Sequence, residues 1–125
     1  MPILEKAKSA YLVWYEYYIF LPKTHRYSLG LRIDNLFVEI IEAISTASFL
    51  DPTKKLPYVA LANKKTDVLK ILLMILWETK SLDNKKYIVL SLKIDEMGKM
   101  LGGWNGQLIK LLSKENSPGA KPGEK

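Results

Sequence analysis

The sequence has no cysteine, one histidine (His25) and two arginines (Arg26 and Arg32) among its 125 residues. Without cysteine there is no disulfide, no thiolate nucleophile and no Cys-ligated metal, and the chain fits a reducing compartment. A lone histidine narrows catalysis sharply. A Ser-His-Asp arrangement would need His25 as its base with a carboxylate fixed beside it, yet its charged neighbours are Lys23, Arg26 and Arg32. Di-iron bundles need paired Glu-x-x-His motifs, which one histidine cannot supply. Gly98-Lys99-Met100 lacks both the spacing and the hydroxyl of a phosphate loop. Ribonucleases that place a His a few residues after an Arg need the opposite order, because both arginines here follow His25. The chain reads as non-catalytic, with no metal or cofactor.

Long hydrophobic runs are also missing. Val68 to Trp77 is the most apolar stretch, but it is too short to span a bilayer and contains Lys70. Met1 to Ala10 carries Glu5, Lys6 and Lys8 and has no apolar signal-peptide core. These absences predict a soluble, cytoplasmic protein. What the chain has is positive charge: 19 Lys and Arg against 13 Asp and Glu, a net +6. The segment from Lys114 onward holds three bases and two acids, so the rest keeps about +5. Such an excess attracts polyanions, although it also serves solubility alone.

The length suits one domain, with a bundle over residues 1–112 and a flexible tail over 113–125. Apolar steps of three and four predict four helices. The first, about 2–21, carries Leu4, Ala7, Tyr11, Trp14, Tyr18 and Leu21 and stops at Pro22. The second, about 24–49, has Thr24 as its N-cap and Ile33, Phe37, Ile40, Ile44 and Ala47 on one stripe, with Asp51-Pro52 closing it. The third, about 57–80, takes Pro57 into its first turn. It is apolar almost all round from Val68 to Trp77, so more than one side must be covered. Either it is a deeply buried central helix, or Leu72, Leu76 and Trp77 include contacts to a second subunit. The fourth, about 83–112, starts at Asp83 and carries the seam Tyr87, Leu90, Ile94, Met97, Leu101, Trp104, Leu108 and Leu111. Gly102, Gly103 and Gly106 either end it near Leu101 or allow another backbone to approach closely. Short connections between such helices favour an all-α, antiparallel up-down-up-down four-helix bundle.

The bases form local groups. Lys23, His25, Arg26 and Arg32 open the second helix, Lys54 and Lys55 lie in the long connection, Lys64 and Lys65 fall early in the third helix, and Lys85 and Lys86 begin the fourth. These bases, led by the two arginines with their bidentate forks, are candidate phosphate contacts. Tyr15, Tyr17 and Tyr27 interleave with them either as stacking platforms or as packing residues with a wet hydroxyl.

Two strings carry a resemblance. Leu21-Pro22-Lys23-Thr24-His25-Arg26-Tyr27-Ser28-Leu29-Gly30-Leu31-Arg32-Ile33 lies between the first two helices, and Ile94-Asp95-Glu96-Met97-Gly98-Lys99-Met100-Leu101-Gly102-Gly103-Trp104 lies in the fourth. Together they resemble the Avd accessory proteins of diversity-generating retroelements, within the wider four-helix-bundle group that includes proteins encoded in 23S rRNA intervening sequences. The resemblance implies a non-catalytic homopentamer that binds a reverse transcriptase and its template RNA or cDNA during mutagenic copying. It implies Lys23, Arg26 and Arg32 as basic contacts, and packing or subunit contacts at Gly102, Gly103 and Trp104. A surface rich in lysine and not arginine, and the Pro/Gly tail, depart from that pattern. The alternatives are a ribosome- or rRNA-associated bundle and a plain protein-interaction module.

Overall fold

The computed structural model describes residues 2–116. They form an all-helical bundle of four long helices and one short one: α1 (Pro2–Tyr18), α2 (Lys23–Arg26), α3 (Leu29–Ser48), α4 (Pro52–Glu78) and α5 (Asn84–Asn116). The predicted apolar stripes are the faces that go inside. Ala7, Trp14 and Leu21 from the first stripe are buried, as are Ile33, Phe37, Ile40, Ile44 and Ala47 from the second. Trp14 and Phe37 stack at 6.2 Å and Tyr11 meets Phe37 edge-on at 5.7 Å, joining α1 to α3. On α5 the seam from Leu90 to Leu108 is inside, with Trp104 half-buried, but Leu111 is exposed.

Cross-helix contacts set the neighbours. Lys6 pairs with Glu96 at 2.9 Å and Lys93 donates to Ser9 at 3.2 Å, placing α1 beside α5. Trp14 Nε1 donates to Asp34 at 3.2 Å between α1 and α3, and Lys65 donates to Glu39 at 2.8 Å between α4 and α3. Lys70 and Asp95, 3.7 Å apart, link α4 to α5.

The helix limits differ from the sequence expectation in four places. The first helix stops at Tyr18, because Phe20 and Leu21 donate to the carbonyls of Tyr17 and Tyr18 and Leu21 turns into the core. The expected second helix is broken at Tyr27 and Ser28 into α2 and α3. Tyr18 Oη, at the end of α1, donates to the Arg26 carbonyl at 2.9 Å just before that break. Gly30 makes the packing possible, since a Cβ there would lie 2.8 Å from both the His25 carbonyl and Leu21 Cδ1. The third helix begins at Pro52, so Pro57 lies inside it. Asp51 and Pro52 start a helix as well as end one: the Asp51 carbonyl accepts from the amides of Lys54 and Lys55. The last helix passes through all three glycines and on to Asn116, so residues 113–116, expected in the tail, are helical. The expected disorder of 117–125 lies outside the described residues.

The glycines do not serve close packing within the chain. A Cβ on Gly102, Gly103 or Gly106 would meet nothing within 4 Å. Nor is α4 a central helix covered on every side. Val59, Ala62, Thr66, Leu69, Leu73 and Leu76 are buried, while Leu61, Val68, Ile71, Met74, Ile75 and Trp77 are exposed. Thr66 satisfies its buried hydroxyl on the Ala62 carbonyl at 2.8 Å. No helix among the described residues is long and apolar enough to cross a membrane.

Candidate nucleic-acid interface

The six candidate basic residues separate into two groups. Lys23, His25 and Arg26 belong to α2 at one end of the bundle. His25 Nδ1 and Ser81 Oγ share a 2.6 Å hydrogen bond, which ties α2 to the α4–α5 turn. Lys86, from the first turn of α5, lays its ammonium 5.0 Å from the Phe20 ring centroid and 5.4 Å from that of Tyr17. That end therefore collects Lys23, Lys85 and Lys86 together with Arg26. Asp83, the acid nearest Lys86 in the chain, accepts the Lys86 backbone amide at 2.9 Å as the cap of α5.

Arg26 is largely committed to structure. Its Nε and one terminal nitrogen donate to the Leu21 carbonyl at 3.2 and 2.9 Å, and that nitrogen also reaches the Ile19 carbonyl at 3.1 Å. The guanidinium thus satisfies carbonyls just past the end of α1, which no helical amide can reach. Lys23, with its exposed side chain, is the freer base.

Arg32, Lys64 and Lys65 form the second group, on the flank between α3 and α4. Lys65 at 2.8 Å and Arg32 at 3.7 Å converge on Glu39 Oε1. The hydrogen bond from Lys65 leads in holding the Glu39 carboxyl below its usual range, with the charges of Lys65 and then Arg32 adding to it. Glu39 therefore pairs with two of these three bases but offsets only one of their charges, and Lys64 and Arg32 are the exposed ones. Glu39, Glu42, Thr46, Tyr58, Leu61 and Lys65 line a shallow groove here of about 310 Å³. On α1, facing α3, burial and then Asp34 push the Tyr11 hydroxyl up to about 12.

The candidate subunit contacts also divide. Leu76 is fully buried and packs the core, Leu72 is half-buried, and Trp77 is exposed but stacks on Tyr87 at 4.9 Å. Gly102 and Gly103 face outward, while Trp104 is half-buried beneath the Lys55 ammonium at 5.8 Å. Of the tyrosine platforms, Tyr15 and Tyr27 are exposed and Tyr17 is half-buried. Phe20 is the residue that periodicity missed. It falls one position before Leu21, off the buried stripe, and its exposure follows from the turn that sends Leu21 inward.

The fold and this site together define a basic helical bundle with paired and unpaired cations on its surface. No family model, no curated protein and no solved structure matches the chain.

Proposed function

We propose that the protein is a non-catalytic, homo-oligomeric scaffold, a pentamer by its resemblance to Avd, that binds nucleic acid and docks a retroelement reverse transcriptase on its template RNA. The observation that carries the nucleic-acid half is the bundle end built from the exposed Lys23 and Lys85 and the half-buried Lys86, none of which pairs with a carboxylate among the described residues. Such a surface binds phosphates with little regard for sequence. The polymerase half rests on the two strings that resemble Avd. They occupy the α2 turn and the buried seam of α5, positions that organise the bundle. An up-down-up-down order is part of the same reading. Lys6 beside Glu96, and Phe20 beneath Lys86, support opposed directions for α1 and α5. The exposed apolar side of α4 supports self-association.

The test is affinity purification of the tagged protein from its host, with and without nuclease. Recovery of a reverse transcriptase with one enriched non-coding RNA is the expected outcome. Ribosomal material would move the protein to the rRNA-associated class. Recovery of neither polymerase nor RNA would leave an interaction module whose charge serves solubility.

A further inference from the structure

We infer that the α2 end of the bundle grips unpaired nucleotides, with Phe20 and Tyr27 as base-stacking platforms and the neighbouring lysines on the phosphates. The inference rests on the nucleic-acid reading above and narrows it to single strands. Phe20 and Tyr27 are 70% and 69% exposed, among the most open large side chains of the described residues. Both sit on turns pinned from below. Arg26 holds the Ile19 and Leu21 carbonyls, Leu21 is buried, and Tyr18 bonds the Arg26 carbonyl next to Tyr27. A turn needs Leu21 inward, but it does not need an aromatic residue outward. A polar side chain at position 20 would satisfy the same backbone without exposing a ring to water.

The cations give the rings an occupant. Lys86 already rests its ammonium on Phe20, which leaves most of that ring open. Lys23 and Lys85 are exposed on the adjoining turn and helix start. An exposed apolar ring bordered by ammonium groups repels a basic protein surface and suits a strand that brings both flat bases and phosphates. A base held in a duplex has its faces covered by its neighbours, so a duplex could use only the lysines. Stacking is therefore the source of discrimination.

The experiment is fluorescence anisotropy of the full chain with a labelled mixed-sequence RNA strand and with the duplex it forms with its complement, at one fixed salt. The wild-type protein is expected to prefer the single strand. Phe20→Ala with Tyr27→Ala should weaken single-strand binding by roughly ten-fold or more and duplex binding by less than about two-fold. Phe20→Trp with Tyr27→Trp should restore the single-strand affinity. Equal losses on both probes, or no loss on either, would overturn the inference while leaving nucleic-acid binding in place. Failure of the wild-type protein to bind either probe would remove the broader reading and this one with it. A changed sedimentation coefficient in the alanine variant would make the rings subunit contacts, which also overturns it.

Discussion

Removing the Arg26 guanidinium would leave the Ile19 and Leu21 carbonyls without their side-chain donor in a partly buried turn. Arg26→Ala should therefore lower stability by about 1–3 kcal/mol. Arg32→Ala should change it by less than about 0.5 kcal/mol, since its contact to Glu39 is long and half-exposed. Urea unfolding of the two variants separates them, and equal losses would contradict the assigned roles. Glu39 carries a pH signature of its own. Its carboxyl titrates below the ordinary glutamate range in the fold, so the ion pair stabilises fully above the unfolded-state value. The contribution fades as pH falls through the lower folded value. Glu39→Gln should cost under about 1 kcal/mol at neutral pH, a small figure because the side chain is well solvated. The difference from wild type should close in acid. A gap that persists in strong acid would assign the loss to packing and not to charge.

At the scale of elements, helical periodicity was legible wherever one face is inside: Ile33 to Ala47 and Leu90 to Leu108 need no information beyond spacing. Limits are harder, because they depend on turn contacts that apolar spacing does not encode. Asp51-Pro52 reads equally well as the end of one helix or the start of the next, and in the folded chain it does both, with the Asp51 carbonyl accepting from the amides of Lys54 and Lys55. The break at Tyr27 depends on Tyr18 and Leu21, whose contacts are close in the chain but are not encoded in helical spacing. Arg26 reads as a surface base in the sequence for the same reason, because its carbonyl partners at Ile19 and Leu21 come within reach only in the folded turn. Gly102 and Gly103 permit a direct test of their purpose. Their Cβ positions are open, so changing both to alanine should stabilise the isolated fold by about 1–2 kcal/mol in total through helix propensity. If another subunit packs there, the same change should weaken assembly in sedimentation equilibrium while raising the unfolding midpoint of the dissociated chain. A lower midpoint for that chain would mean the glycines answer a strain within the fold.

Across the whole molecule, a net charge of +6 is enough to attract RNA without any built site. Affinity alone therefore cannot distinguish a diffuse field from a surface at one end, but position can. Lys23 and Lys85 stand at the α2 end, whereas Lys99 lines a groove with Pro2, Ile3 and Trp104 far along α5, and Lys110 lies beyond it. Neutralising either pair to glutamine removes the same charge. A field set by net charge alone makes the two double variants equal. A localised contact predicts that only Lys23→Gln with Lys85→Gln flattens the slope of log affinity against log salt. The change should be about 1.4 for two phosphate contacts on a single strand. Salt titrations of the wild-type protein and both variants measure it, and matched slopes for the two variants would return the binding to the charge of the molecule as a whole. A localised change would instead show that the turn held by Arg26, and not the total of lysines, decides where RNA lies on the bundle.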